Sequence, residues 1–235
     1  MKDSSEWTNL SPAYYANQTM EPVDFRLALR YHFGMPLFNG DVQCVHCHST
    51  KADVMGIHTA SCPSIHGKHH NDIRDALAAE CQRANLMPSK EPKWLLEEVK
   101  GTRDRPADVF LPNYRLSSGL CIDVSVVSSF TNLCEAANEV GLNAKRAENL
   151  KKNKYERFCQ ERGLLFKPFV LESLGGFGDD SKEVIDRIAM SLKDLDSVSQ
   201  SVAAKRLRAR LSFIWHRNLG ASLTAQFRCS SSYSC

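Results

Sequence analysis

A short region of the chain concentrates side chains that bind metal ions. Cys44 and Cys47 are separated by two residues, ten residues separate Cys47 from His58, and three separate His58 from Cys62. Two thiolates at the first spacing can hold one ion, and a histidine and a cysteine four positions apart lie on one side of a helical turn. The pattern C-x2-C-x10-H-x3-C therefore predicts a structural zinc site.

Two further histidines leave the ligand set open. His46 and His48 lie beside the first two cysteines and compete with His58 for one position. The alternative is three buried thiols and a surface histidine, with no metal. If protein ligands fill all four positions, the ion anchors the loop and performs no chemistry.

A polar segment, KHHND, follows the cysteines. Its residues stand at the predicted start of a helix, and they are Lys68, His69, His70 and Asn71. Cations are poorly placed at a helix N-terminus unless they face an anion such as a phosphate. The segment is therefore either a solvated capping loop or a contact for an anion such as a phosphate.

Two aspartates fall in apolar segments that are predicted as strands. Asp108 lies in ADVFLP, and Asp123 lies in LCIDVSVV, where alternation places it on the face of Cys121 and Ser125. A buried acid is costly unless it is satisfied, and two acids on adjacent strands repel each other. A divalent cation between them would remove the repulsion. The alternative is that each acid lies at a strand end and hydrogen-bonds to a turn.

The next predicted helix carries two lysines, Lys151 and Lys154, on one face. If this face packs on the sheet, the lysines can reach the aspartates; the alternative is an exposed basic helix. Two acids and a lysine are suited to metal-assisted hydrolysis of a phosphodiester. The acids hold Mg²⁺, which lowers the pKa of a bound water, and the lysine positions that water or stabilises the developing charge.

The elements that position these groups form a mixed α/β core. Helices are predicted for residues 21–33, 67–86, 143–162, 179–192 and 203–219, and strands for 93–99, 107–112, 120–127 and 164–173. The apolar face predicted for the first helix comprises Phe25, Ala28, Leu29 and Phe33. The last helix is expected to be basic on one face and apolar on the other.

Five regions follow from these elements. They are an N-terminal helical segment (1–40), a zinc knuckle (41–66), the α/β core (67–195), a basic C-terminal helix (196–228) and a disordered tail (229–235). With 43% hydrophobic residues and a net charge of +3, the chain has the composition of a globular protein. It has no signal-peptide pattern and no apolar run of membrane-spanning length, so we expect an intracellular protein without a membrane partner or a disulfide framework.

The order of RPAD, IDVSVV and A-x3-K-x2-KY resembles the restriction-like endonuclease domain, of the PD-(D/E)xK type, at the C-terminus of site-specific non-LTR retrotransposon proteins. In that family a C-C-H-C zinc knuckle precedes the nuclease, and a short basic-His-Asn motif follows the knuckle. Here CVHC…H…C and KHHND stand in the same order, and the resemblance covers roughly residues 25 to 178.

The resemblance implies a restriction-endonuclease-like α/β core, a mixed sheet flanked by helices, that cleaves DNA with Mg²⁺ or Mn²⁺. Asp108 and Asp123 would be metal ligands and Lys151 the catalytic lysine. Lys154 would support it, and Glu80, on the apolar stripe of the second helix, would be a further acid at the site. The groups expected to contact DNA are Lys68, His69, His70 and Asn71.

This chain departs from the basic pattern at two points. Ser125 stands two residues after the second acid, where the pattern has lysine, although the family commonly moves that lysine to the helix. Ala107 also separates Pro106 from Asp108.

Two functional hypotheses follow. The first is an endonuclease that nicks duplex DNA in the nucleus, as in target-primed retrotransposition, together with a reverse transcriptase domain or chain and element RNA. The second is a catalytically inactive, zinc-containing module that binds nucleic acid. A zinc-stabilised protein-interaction domain would explain the cysteines and leave both aspartates without a purpose.

Overall fold

The structure, a computed structural model, describes residues 5–10, 18–92, 94–95, 106–115, 118–131 and 141–232. Its helices are α1 (Pro22–His32), α2 (Ile57–Ser61), α3 (Pro63–Arg83), α4 (Leu142–Gln160), α5 (Asp179–Leu195) and α6 (Gln200–Ser232). Its strands are β1 (Val42–Gln43), β2 (Lys51–Ala52), β3 (Ser89–Lys90), β4 (Val109–Arg115), β5 (Ser118–Val127) and β6 (Leu165–Glu172). A 3-10 turn spans Glu6–Asn9.

A mixed four-stranded sheet with the order β3-β4-β5-β6 organises the core. Strand β4 is antiparallel to both of its neighbours, whereas β5 and β6 are parallel. Parallel neighbours need a crossover connection, and α4 lies between β5 and β6 in the chain. The predicted α/β class, with a mixed sheet flanked by helices, is confirmed.

Both faces of β5 are buried. Ile122, Val124 and Val126 point into the main core, which α3, α5 and α6 share, whereas Cys121 packs with Cys159 of α4 on the other face. The predicted alternation is therefore correct. It gives the sheet two covered faces, so that side chains from helices on either side can reach the same strand.

Helix α6 buries an apolar face and exposes Lys205 and Arg206. Its fully buried residues include Leu211, Trp215, Leu219 and Leu223. Helices α1, α2, α3 and α5 pack against it. Arg208 pairs with Glu6 and Arg210 with Glu80, so two of its basic side chains are neutralised. The helix continues through Ser232, so residues 229–232 of the predicted disordered tail are helical.

The buried face of α1 was predicted correctly at Ala28 and in part at Leu29, but not at its two phenylalanines. The residues it buries are Leu27, Ala28 and Tyr31, whereas Phe25 and Phe33 are exposed. Close approach to α6 sets this rotation, because a Cβ atom added at Gly220 would lie 2.6 Å from the carbonyl oxygen of Asp24. Local apolar spacing could not reveal that contact.

Two further elements differ from the prediction. Helix α3 begins at Pro63 instead of residue 67, so the KHHND segment lies inside it. In the predicted strand 93–99, Trp94 and Leu95 are helical, and the other residues of that segment lie outside the described ones. The edge strand β3 was not predicted.

Two buried glutamates fix the helices that flank β6. The backbone N–H of Ala144, near the start of α4, donates to Glu172 at 3.0 Å. The backbone N–H groups of Asp179 and Ser181, at the start of α5, donate to Glu148 at 3.0 and 3.2 Å. A carboxylate is favourable at a helix N-terminus because it satisfies free N–H groups and the helix dipole. Both carboxylates therefore restrain how α4 lies on the sheet.

We predict that Gly178→Ala destabilises the protein, because its added Cβ would lie 2.0 Å from Oε1 of Glu148. Overpacking of this kind lowers the free energy of unfolding by about 1–3 kcal/mol. Gly67→Ala is the matched control, because its Cβ meets nothing within 4 Å. In a helix interior, the change from glycine to alanine raises the free energy of unfolding by about 0.5–1 kcal/mol. Urea unfolding followed by circular dichroism gives the free energy of unfolding of both variants. Equal values would refute the steric contact between position 178 and Glu148.

Candidate metal centres

The two aspartates lie opposite each other, Asp123 within β5 and Asp108 immediately before the antiparallel strand β4. The pairing of Val109 with Ile122 places Asp108 directly beside Asp123, and the N–H of Asp108 donates to the carbonyl of Ile122 at 2.8 Å. Each aspartate is 7% exposed. The two carboxyl groups interact directly, so the site holds two acids in a largely dry environment.

Helices on both sides of the sheet supply side-chain partners. From α4, Nζ of Lys151 donates to Oδ2 of Asp123 at 2.6 Å. From α3, Nε2 of His70 lies 3.1 Å from Oδ2 of Asp108, which also accepts from the N–H of Val124 at 2.7 Å. The structure thus brings together Asp108, Asp123 and Lys151, the three residues that the sequence associated. His70 was expected to face DNA and is instead the partner of Asp108.

The environment shifts the pKa values of the two carboxyl groups in opposite directions. Burial raises the pKa of Asp123 to about 6, although Lys151 acts in the opposite direction. Burial also acts to raise the pKa of Asp108, but hydrogen bonds from His70 and from the N–H of Val124 outweigh it and leave that pKa below its usual value. The hydrogen bond to Asp108 in turn raises the pKa of His70. Divergent carboxyl pKa values are typical of acid pairs at functional sites.

The oxygen atoms at this site are of the chemical kind that binds divalent cations. Mg²⁺ and Mn²⁺ prefer carboxylates and other oxygen ligands. Besides the two aspartates, Ser125 lies two residues after Asp123 on the same face of β5. Its hydroxyl is buried and has no hydrogen-bond partner among the residues that the structure describes. The space between this hydroxyl and the two aspartates could hold a metal-bound water or the ion itself.

Two of the predicted catalytic groups lie elsewhere. Glu80 pairs with Arg83 and Arg210, and its position ten residues after His70 places it about 15 Å further along α3. The structure therefore does not bring it to the aspartates. Lys154 is exposed one turn beyond Lys151, with its ammonium group 4.9 Å from the ring centre of Tyr155.

A second candidate centre has the predicted cysteine and histidine ligands. The donor atoms of Cys44, Cys47, His58 and Cys62 all lie within 4.8 Å of one another. The sulfurs of Cys44 and Cys62 are 3.9 Å apart, and Nε2 of His58 lies 3.4 Å from the sulfur of Cys47. Tetrahedral zinc, with bonds of about 2.0–2.3 Å, separates its ligands by about 3.3–3.8 Å. This Cys₃His cluster can therefore hold one zinc ion.

Local structure prepares these ligands. The carboxylate of Asp53 accepts from the N–H of Ile57 at 3.1 Å and from the N–H of His58 at 2.7 Å, which orients the start of α2. Hydrogen bonds from Ser49 and neighbouring backbone lower the pKa of the Cys47 thiol to about 5. Burial beside Cys44 raises the pKa of Cys62 to about 11. One thiolate is therefore present before a metal binds, and an ion would deprotonate the buried thiols.

The competing histidines are accounted for. Nε2 of His46 lies 3.0 Å from the carbonyl oxygen of Ser222 in α6, and His48 is exposed and outside the ligand cluster. The buried side chain of Gln226 accepts from the N–H of Val45 and donates to the carbonyl of Gln43, both at 2.9 Å. These contacts attach the cysteine-bearing segment to α6.

The KHHND segment divides between core and surface. His69 is 3% exposed, packs against Trp215, and its Nε2 lies 3.1 Å from the hydroxyl of Ser222. Burial lowers the pKa of His69 to about 4, so at neutral pH it is an uncharged core residue, and its predicted DNA contact is wrong. Lys68 and Asn71 are exposed.

Comparison of the sequence with models of known protein families gives no match, and comparison with curated proteins gives none either. No helix within the described part of the chain is long and apolar enough to cross a membrane. The functional interpretation therefore depends on the geometry of the two centres.

We predict that the purified protein contains about one zinc ion per chain, because four suitable ligands converge. Cys44→Ser and Cys62→Ser should lose it, whereas Cys229→Ser should retain it, since that cysteine is exposed and outside the cluster. Elemental analysis after gel filtration gives the metal content. Equal zinc in all three variants would contradict the ligand assignment.

Proposed function

We propose that this protein is a metal-dependent endonuclease that hydrolyses a phosphodiester bond in duplex DNA. The observation that carries the proposal is the buried Asp108–Asp123 pair with Lys151 in contact. Two strands and a crossover helix converge on this point. The resemblance to restriction-like endonuclease domains assigns the same three residues to catalysis.

The roles of these residues follow from their chemistry. Asp108 and Asp123 would hold Mg²⁺ or Mn²⁺, which when bound lowers the pKa of a water and neutralises developing charge. Lys151 positions the attacking water or stabilises the negative charge of the transition state. It already lies at the carboxylate of Asp123, so it needs little movement to act there.

Binding the phosphates of the DNA backbone requires exposed cationic side chains near this site. Helix α6 exposes Lys205 and Arg206, and α4 carries exposed basic residues on the helix that also supplies Lys151. They are Lys145, Arg146, Lys154 and Arg157. Contacts of this type with phosphates give affinity that falls as salt rises. A nuclear location, a reverse transcriptase partner and element RNA belong to the same proposal.

A catalytically inactive nucleic-acid-binding module is the second candidate. The observation in its favour is that each aspartate already has a side-chain partner, His70 for Asp108 and Lys151 for Asp123. A charge network satisfied in this way is stable without a divalent ion. An activity assay separates the two candidates, because they differ only in the chemistry that follows DNA binding.

We predict that the purified protein nicks supercoiled plasmid in the presence of Mg²⁺. Asp108→Asn, Asp123→Asn and Lys151→Met should each lower the rate on the order of 100-fold or more, because each removes a group that contacts the reacting atoms or their ion. The control is Asp194→Asn, which changes an exposed acid. Gel electrophoresis quantifies the nicked circles.

Two outcomes would contradict the proposal. Equal nicking by all variants would show that another nuclease is present in the sample. Salt-sensitive DNA binding by the parent without nicking, in either Mg²⁺ or Mn²⁺, would favour the inactive module.

A further inference from the structure

Helix α3 connects the two candidate metal centres. Its N-cap is Cys62, a ligand of the Cys₃His cluster. His70, eight residues later, contacts Asp108. Eight residues of helix span about 12 Å, so one short helical segment links a cluster ligand to the aspartate pair.

The contacts of His70 fix both its ring and the carboxyl group of Asp108. Nε2 of the ring lies 3.1 Å from Oδ2 of Asp108 and 3.2 Å from the carbonyl of Val124, and Nδ1 lies 3.3 Å from Oδ1 of Asn71. Both ring nitrogens are thus engaged, and the ring joins α3 to β5. Because His70 hydrogen-bonds to one oxygen of Asp108, it influences the orientation in which that carboxylate meets an ion.

The start of α3 has few stabilising features of its own. Within the described contacts, Cys62 makes no side-chain capping hydrogen bond, and the first turn carries no acidic residue. Gly67 lies between Cys62 and His70, and glycine weakens a helix interior. Pro63 favours a helix start at its position, and His69 packs against Trp215 further along the helix. The cluster ligand Cys62, buried beside Cys44, therefore anchors the N-cap of α3.

We propose that the ion held by the Cys₃His cluster anchors the start of α3 and so keeps His70 on Asp108. His70 is then a positioning residue, and the cluster and the aspartate pair are coupled metal sites. The coupling rests on the proposed function in one respect, that the aspartates bind a divalent cation. It assigns the cysteine cluster a role in assembling the site, separate from any contact with DNA.

Binding of Mn²⁺ to the full chain tests the coupling, with free Mn²⁺ measured by electron paramagnetic resonance. Removing zinc from the parent should weaken Mn²⁺ binding about tenfold or more, within the usual range of coupling between sites. In His70→Ala, binding should already be weaker, and zinc removal should change it little further. His70→Gln should recover part of the affinity, because its amide can still donate to Asp108.

A second variant interrupts the link while all four cluster ligands remain. Gly67→Pro removes a backbone hydrogen bond and distorts α3 between Cys62 and His70. We expect this variant to keep its zinc. Its affinity for Mn²⁺ should fall as far as that of the zinc-free parent. Gly67→Ala, which has open space around its Cβ, should keep both. A zinc-loaded Gly67→Pro chain that binds Mn²⁺ like the parent would overturn the coupling.

The remaining outcomes distinguish the inference from the proposed function. If zinc removal weakens Mn²⁺ binding equally in the parent and in His70→Ala, the coupling through His70 is wrong and the aspartate site stands. If zinc-loaded parent binds no Mn²⁺, and Asp123→Asn behaves identically, the proposed function and the coupling both fail.

Discussion

Two carboxylates buried side by side, at Asp108 and Asp123, impose the constraint on which the rest of the structure depends. Like charges on adjacent strands repel each other, and burial removes the water that would screen them. The chain offsets this cost with one hydrogen-bonding side chain from each side of the sheet, His70 from α3 and Lys151 from α4. Both helices must therefore lie on β5 in one particular register, and the fold is arranged to fix them there.

Different sets of contacts hold these two helices in place. Glu172 and Glu148 place their carboxylates at the starts of α4 and α5, which fixes the helix that carries Lys151. The cysteine cluster and α6 fix α3 from the other side, and Gln226 ties the cysteine-bearing segment to α6. Helix α6 is therefore the central support of the structure, and two of its arginines form internal ion pairs with Glu6 and Glu80.

Local patterns in the sequence were sufficient for part of this arrangement. The spacing of four potential zinc ligands and the alternation around Asp123 depend on neighbouring residues, and both match the structure. Features set by distant contacts could not be predicted. The neutralisation of Arg208 by Glu6, and the burial of His69 against Trp215, join segments more than a hundred residues apart. For the same reason His70 was interpreted as a DNA contact: the strand that it meets is distant in sequence, and α3 begins four residues earlier than its pattern indicated.

The central claim is that the aspartate pair is a cation site and more than a satisfied charge network. Crystals of the protein soaked in Mn²⁺ test this most directly, because manganese is located by its anomalous scattering. We expect one manganese peak between Asp108 and Asp123, bonded to a carboxylate oxygen of each. Saturating Mn²⁺ that leaves no peak there, with Lys151 still paired to Asp123, would contradict it.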